Sequence, residues 1–281
     1  MENEFLYPSK VSHRISELTS VDVSNETKAN VARWYAEMMI KEFLHEYFDD
    51  ESYKNESLNY LVGQLKGKVS KEIIDSILLI KQYGDRASHY HPEKGISAKQ
   101  SRKTVEEALK LYELIIIDVI KKKSLYAHPD RASLVSVLLP QTRVSIYNSL
   151  IDFDSYFINQ DLLKKWCIAC VKNRQENKAR NKLMRLLKRE LIEKYDYDDL
   201  ISLIKVIKLK MDNDELPIPR NRADFARNLH DLLANHLSDE SKLENYDLIK
   251  VLMSMAENVV PSEMKHYKGM QVFTTLQTVY E

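Results

Sequence analysis

The chain has 281 residues, of which 44% are hydrophobic and 30% are charged, and this balance indicates a globular protein rather than a disordered one. Its 42 basic and 42 acidic residues give a formal net charge of zero, so bulk charge alone favours neither a nucleic-acid nor a membrane partner. Only 5 glycines and 7 prolines interrupt it, which predicts long helices in one large or two medium domains.

The start of the chain lacks the basic and apolar regions of a signal peptide. The longest apolar run, residues 114–120, is interrupted by Asp118 and is far shorter than the roughly 20 residues of a membrane span. The two cysteines, Cys167 and Cys170, have no second pair with which to complete a zinc site, so we interpret them as buried thiols of one helix. We expect a soluble, cytoplasmic protein without metal or cofactor.

Helical periodicity begins after the N-cap candidate Ser-Asn-Glu-Thr at 24–27 and continues through residues 28–48. The polar segment 49–60 predicts a loop or a short helix. A second strong helical pattern, residues 70–90, ends near a proline, and a third runs from a serine cap candidate through residues 98–123. These patterns predict a compact helical bundle of ordinary domain size.

Residues 124–133 form the best candidate for a domain boundary, because a proline stands there among polar residues. Helical patterns fill most of the chain beyond it, and two prolines around one residue at 217–219 mark the clearest break. We find no internal repeat and no strand with a credible pairing partner. The prediction is an all-α fold, with a bundle in residues 1–125 and a second helical domain of unrecognised type in residues 134–281.

One short stretch carries residues suited to acid–base chemistry. Arg86 stands three residues before His89 and five before His91. On a regular helix His89 shares a face with Arg86, whereas His91 reaches it only where the helix ends or distorts. A histidine can transfer a proton near neutral pH, and an arginine can hold a scissile phosphate, which is what RNA cleavage by its own 2′-hydroxyl requires. The alternative is an ordinary polar helix end.

Residues 28–120 resemble the HEPN superfamily, particularly its DUF4145-like branch. The resemblance rests on the helical segment 29–40 with Arg33 and Glu37, on the Gly-Asp-x-Ala-x-His stretch at 84–89, and on a closing helix at 98–115. It implies a four-to-five-helix bundle that often forms a homodimer. In active members an Arg-x(4–6)-His pair from each protomer builds a composite, metal-independent ribonuclease site.

The resemblance assigns candidate roles residue by residue. Arg86 would stabilise the phosphate, and His91 fits the nuclease spacing, whereas His89 fits the DUF4145-like histidine; both remain candidates for the acid or base. Asp85 would orient the histidine or the arginine. The implied protein is an endoribonuclease, a toxin or phage-defence effector. The alternative is a non-catalytic module for dimerisation, nucleotide binding or protein binding.

A second feature is a basic segment in the C-terminal half. Five basic residues there step by three or four positions, which predicts one basic stripe on a helix suited to phosphate contacts with RNA: Arg174, Lys178, Lys182, Arg185 and Arg189. The alternative is an exposed helix whose charge is offset by the acids that follow it. A protein partner or trigger bound by the C-terminal domain is also expected.

Overall fold

The computed structural model describes residues 6–48, 51–88, 95–128, 130–153 and 158–262. Within these ranges the chain contains 13 α-helices, three short 3-10 segments and no β-strand, which confirms the predicted all-α class. None of the helices in the described ranges is long and apolar enough to cross a membrane.

The described residues divide into two compact units. The N-terminal unit consists of Leu6–Ser124 together with Lys250–Glu257, and the C-terminal unit consists of Leu125–Ile249 together with residues 258–262.

The N-terminal unit is built around three long helices that pack against one another, α2, α4 and α5. Its helices are α1 (Ser12–Thr19), α2 (Asn25–Phe43), α3 (Leu58–Leu65), α4 (Lys71–Ser88) and α5 (Ala98–Lys123). Three 3-10 segments, Ser9–Val11, His45–Tyr47 and Glu51–Asn55, accompany them.

Serine side chains define where these helices begin. Ser24 accepts a hydrogen bond from the backbone N–H of Thr27 at the start of α2. Ser97 forms a capping box with Gln100 at the start of α5, so that each side chain satisfies a backbone N–H of the other. Both starts agree with the cap candidates in the sequence.

Apolar residues at helical spacing then build the core of this unit. Helix α4 buries Ile73, Ile77, Ile80 and Gly84 along one face. Helix α2, which packs against both α4 and α5, buries small and large residues, among them Ala29, Ala32, Tyr35, Ala36 and Met39. The alternation of alanine with larger side chains allows the helix axes to approach closely.

The C-terminal unit is centred on α8, which packs against α7, α9 and α10. Its helices are α6 (Arg131–Ser136), α7 (Pro140–Phe153), α8 (Gln160–Lys172), α9 (Glu176–Lys188), α10 (Lys194–Asp212), α11 (Arg222–Asn235) and α12 (Asp239–Glu244). The final helix, α13 (Tyr246–Ala256), is divided between the two units at Lys250. The break between α10 and α11 contains the two prolines that predicted it.

Both cysteines lie in α8 as free, buried thiols, which confirms the sequence interpretation. Burial raises the pKa of the Cys167 thiol, and it raises the pKa of Cys170 to about 12 even though Lys178 and Lys182 act in the opposite direction. Because the thiolate is the reactive form, neither side chain is primed for redox or nucleophilic chemistry.

Candidate functional site

Helices α2 and α4 come into unusually close contact just before the candidate catalytic stretch. Gly84 is buried in α4, and a Cβ placed there would lie 2.4 Å from Cβ, 2.9 Å from Cδ and 3.0 Å from Cγ of Arg33 in α2. Only glycine allows this approach, since any larger residue would occupy the space filled by the arginine stem. Gly84 therefore has a steric role in setting the distance between the two helices.

The contact is reinforced by a chain of charges. The Nε of Arg33 donates to Oδ1 of Asp85 at 2.6 Å, and the Nζ of Lys81 donates to Oδ2 of Asp85 at 2.7 Å. On the other side of Arg33, its Nη1 lies 4.0 Å from Oε2 of Glu37, whose Oε1 accepts a hydrogen bond from Lys41 at 2.7 Å. Two carboxylates and three cations thus alternate across the two helices.

Asp85 is held in its charged form by this arrangement. Partial burial alone would raise the pKa of its carboxyl, but the hydrogen bonds from Lys81 and Arg33 outweigh it and hold the pKa below its ordinary value. Both carboxylate oxygens are engaged by these two cations. Asp85 therefore joins α4 to α2.

Arg86 lies in the last turn of α4, next to Asp85. Its Nη2 donates to the backbone carbonyl of Gly95 at 3.1 Å. The neighbouring N–H of Ile96 donates to Oε1 of Glu26, in the first turn of α2, at 3.0 Å. Arg86 and Glu26 together hold the backbone that re-enters the bundle before α5.

Both candidate histidines lie in the sequence between Arg86 and Gly95, the residue whose carbonyl Arg86 contacts. His89 and His91 belong to residues 89–94, which lie outside the described residues. Ser88 is the final residue of α4, and its hydroxyl donates to the carbonyl of Gly84 at 2.9 Å. The arginine guanidinium thus contacts the residue that follows the histidine-bearing stretch, while its own helix ends at the residue that precedes the stretch.

The charge network was not predicted from the sequence, although part of its signal was visible. Lys81 and Asp85 are four residues apart in a helical pattern, a spacing that favours ion pairs. The partnership of Asp85 with Arg33 joins residues 52 positions apart, and no local pattern indicates it.

The basic stripe is centred on α9 but is longer than the helix itself. Helix α9 starts at Glu176, so Arg174 lies in the preceding turn with φ 55°, and Arg189 is the C-cap residue. Arg174, Lys178, Arg185 and Arg189 are exposed. The predicted single helical stripe is therefore a basic surface assembled from a turn, a helix and its cap.

Lys182 differs from the other members of this surface. It donates to Oδ1 of Asn148 at 3.0 Å and to Oδ1 of Asp152 at 2.8 Å, both on α7, and its Nζ lies 5.6 Å from the centre of the Trp166 ring. Its charge is already paired, so it is a structural link between α7 and α9 and a weak candidate for phosphate contact.

No metal-binding cluster of three or more His, Cys, Asp or Glu side chains occurs within the described ranges. Comparison of the chain with protein-family models, with curated proteins and with solved structures found no match.

Asp85→Asn should lower the free energy of unfolding by about 1–2 kcal/mol at pH 7, because Arg33 and Lys81 lose a charged acceptor. The effect is limited because 34% of the Asp85 side chain is exposed and solvent screens it. Since the pKa of Asp85 is lowered in the folded state, its contribution is present above the ordinary carboxyl pKa and is lost as the pH falls through the lowered value. Urea unfolding at pH 7 and near pH 3 measures both effects.

Asp75→Asn is the matched control for this measurement. Asp75 lies in the same helix and pairs with Lys71 four residues away, but both side chains are largely exposed. We expect a cost of about 0.5 kcal/mol or less. A deficit of Asp85→Asn no larger than that of Asp75→Asn, or one that persists unchanged near pH 3, would contradict the role assigned to Asp85.

Proposed function

We propose that the N-terminal unit is a HEPN-type endoribonuclease that needs no metal ion, acting as a toxin or phage-defence effector. The main supporting observation is the position of Arg86, whose guanidinium contacts Gly95, immediately beyond the stretch that contains His89 and His91. A permanent cation at this point is suited to hold a phosphate beside a histidine that exchanges protons near neutral pH.

The proposed reaction is internal transesterification of RNA. One histidine, His91 or His89, removes the proton from a 2′-hydroxyl, and the resulting oxygen attacks the adjacent phosphorus. Arg86 neutralises the negative charge that develops on the phosphate oxygens. A second histidine protonates the departing 5′-oxygen, which leaves a 2′,3′-cyclic phosphate on one product and a 5′-hydroxyl on the other. A homodimer would bring together two such Arg–His sets.

Asp85 supports this reaction indirectly in the proposal. By bonding to Arg33 and Lys81 it fixes the last turns of α4 against α2, and Arg86 is the next residue along that helix. We therefore assign Asp85 a positioning role and leave contact with the phosphate to Arg86.

Purified full-length protein incubated with mixed RNAs in EDTA provides the test. We expect cleavage products that end in a 2′,3′-cyclic phosphate, detected because they resist a phosphatase until the cycle is opened by acid. Absence of cleavage under every triggering condition tried would overturn the proposal, and cleavage that appears only after a divalent metal ion is added would do the same.

The second candidate function is a non-catalytic helical module for dimerisation, nucleotide binding or protein binding. The hydrogen bonds of the site favour it, because these side chains already have partners within the protein. Arg86 bonds to a backbone carbonyl, and both oxygens of Asp85 bond to other cations. Such a protein would bind an RNA or nucleotide without changing it. An Arg86 variant would then alter stability or binding, with no cleavage activity to lose.

The exposed basic surface of the C-terminal unit is proposed to guide RNA. Replacing Lys178 and Arg185 together by glutamine should weaken binding of a mixed-sequence RNA. A plot of the logarithm of the RNA-binding constant against the logarithm of the salt concentration should become less steep, by about 0.7 per lost phosphate contact. Fluorescence anisotropy over a range of salt concentrations measures this slope.

Lys182→Gln is the internal comparison for this prediction. Because Lys182 is paired with Asp152 and Asn148, we expect this variant to lose stability while it leaves the salt slope almost unchanged. Equal slopes for the double variant and the unaltered protein would show that the surface is only a solvated helix face.

A further inference from the structure

Helix α10 of the C-terminal unit carries apolar side chains on two opposite faces. The face that packs into the unit buries three aliphatic residues, Leu200, Ile204 and Ile207. On the other face Tyr195, Val206 and Leu209 are 76%, 51% and 62% exposed. Single exposed apolar residues are ordinary, but several along one helix face are typical of an interaction surface.

The spacing of this exposed face is that of a helix that pairs with another helix. Tyr195, Ser202 and Leu209 follow one another at intervals of seven residues, and Val206 lies one turn before Leu209. From Tyr195 to Leu209 the face is about 21 Å long. Its centre is occupied by the small, exposed side chain of Ser202, which allows a second helix to approach closely.

Two charged residues of opposite sign border this face on the same edge. Asp198 lies near the start of α10 and Lys205 lies seven residues later, and both are exposed. Oδ1 of Asp198 accepts a hydrogen bond from Lys194 of the same helix. Within the described part of the chain, Oδ2 of Asp198 and the ammonium group of Lys205 have no such partner.

These charges make the face complementary to itself in one orientation. If a second α10 lies antiparallel, with the two-fold axis at Ser202, Tyr195 of one copy packs against Leu209 of the other. The same arrangement brings Asp198 of each copy beside Lys205 of the other, so two ion pairs form. A parallel arrangement would instead place like charges together, and charges at the edges of a helix pair set its orientation.

We propose that α10 is a self-association surface, on which a second copy of this chain docks through its own α10 in the antiparallel orientation. The occupant is inferred from the charge pattern, because a carboxylate and an ammonium group on one edge match the same pair on a reversed copy. The carboxylate of Asp198 disfavours RNA as the occupant of this face.

Sedimentation velocity of the full chain over a range of protein concentrations tests the association. We expect a Kd of about 1–100 µM, since one helix from each copy makes a small interface. Leu209→Asp should raise this Kd about 10-fold or more, because a charge would be buried against Tyr195 of the other copy. Leu243→Asp is the matched control, since Leu243 of α12 is 78% exposed and lies outside this face, and it should leave the Kd unchanged.

Charge reversal tests the antiparallel orientation. Asp198→Lys and Lys205→Glu should each raise the Kd about 10-fold or more, since by symmetry each change places two like-charged pairs in the dimer. In an equimolar mixture of the two variants the hetero-pair contains only attractive pairs, so its Kd should return to within about 3-fold of the unaltered value. A mixture that associates no more tightly than the separate variants would overturn the proposed pairing.

A cross-link at Ser202 gives a measurement that other associations of the chain do not affect. Two helices with axes about 8–10 Å apart would bring the Cα atoms of the two copies within about 3–5 Å at this position, inside the roughly 7 Å that a disulfide can bridge. Oxidised Ser202→Cys should therefore form a covalent dimer, and Leu243→Cys should not. The native cysteines, Cys167 and Cys170, are buried and should not contribute.

Two further results would overturn the proposal: the absence of the Ser202→Cys dimer at protein concentrations above 100 µM, or equal Kd values for Leu209→Asp and the unaltered protein. Either would assign the exposed face of α10 to a different partner. None of these measurements contains RNA or alters the N-terminal unit, so their outcome is independent of the ribonuclease proposal.

Discussion

Gly84→Ala should lower the free energy of unfolding by about 2–3 kcal/mol, the upper part of the range of about 1–3 kcal/mol found for added atoms in a tightly packed interior. The new Cβ would lie 2.4 Å from Cβ of Arg33, a distance that two carbon atoms cannot occupy, so α2 and α4 would have to move apart. Because α2 and α4 also share the Asp85 ion pairs, their separation would weaken those contacts as well. Urea unfolding followed by circular dichroism measures the loss.

Gly63→Ala is the matched control, because Gly63 lies inside α3 and nothing stands within 4 Å of the position of its Cβ. There alanine should stabilise the protein by about 0.5–1 kcal/mol, as expected where glycine is replaced at an unhindered helical position. If Gly84→Ala lowers the free energy of unfolding and Gly63→Ala raises it, the close contact between α2 and α4 is identified as the cause of the loss. If Gly84→Ala were neutral or stabilising, the contact between α2 and α4 would be looser than described.

Replacing the opposing residue gives a further check on the steric explanation. Arg33→Gly removes the three side-chain atoms that lie nearest to an added Cβ. The double variant with Gly84→Ala should then lose less stability than the sum of the two single variants, since the clash exists only when both side chains are present. Additive losses would indicate that the destabilisation by Gly84→Ala does not arise from its contact with the Arg33 side chain.

Local signals explain why so much of the helical fold is visible in the sequence. The starts of α2 and α5 follow serines whose side chains cap the helix, and α4 repeats isoleucine at helical spacing. Such signals lie within one helix, so they can be recognised before any packing is known. The functional details are different in kind, because they depend on contacts between helices.

Gly84 illustrates why a contact between two helices cannot be predicted from the sequence of one of them. In the sequence it is one glycine inside a helical pattern, where a weak helix former is tolerated, and its purpose is decided by Arg33 in another helix. The same limit applies to Lys182, whose spacing assigns it to the basic stripe but whose charge is taken by Asp152 of α7.

Arg86→Ala should reduce the rate of RNA cleavage by about 10²–10⁴-fold, the range expected when a preorganised charge or an acid–base group is removed from an active site. His91→Ala and His89→Ala separate the two candidate histidines, and the one that pairs with Arg86 should lose activity by a similar factor. Cleavage of a labelled RNA in EDTA under single-turnover conditions measures these rates directly.

Two matched controls test whether loss of any arginine or of any histidine slows RNA cleavage. Arg102→Ala removes an exposed arginine of α5, and His236→Ala removes an exposed histidine at the end of α11; both should cleave at the unaltered rate. Because Arg86 also bonds to Gly95, each variant must be compared by thermal unfolding, and Arg86→Lys offers a version that keeps the charge. The lysine should retain part of the activity, since it supplies charge without the planar fork.

The pattern of losses decides between the two functions. If Arg86 and one histidine act as a unit, the double variant should be hardly slower than the worse single variant, because each removal already disables the same step. Losses that merely follow the change in Tm would assign Arg86 to holding Gly95 and would favour the non-catalytic module. Full activity in Arg86→Ala would exclude this arginine from the chemistry, and with it the ribonuclease site proposed at the end of α4.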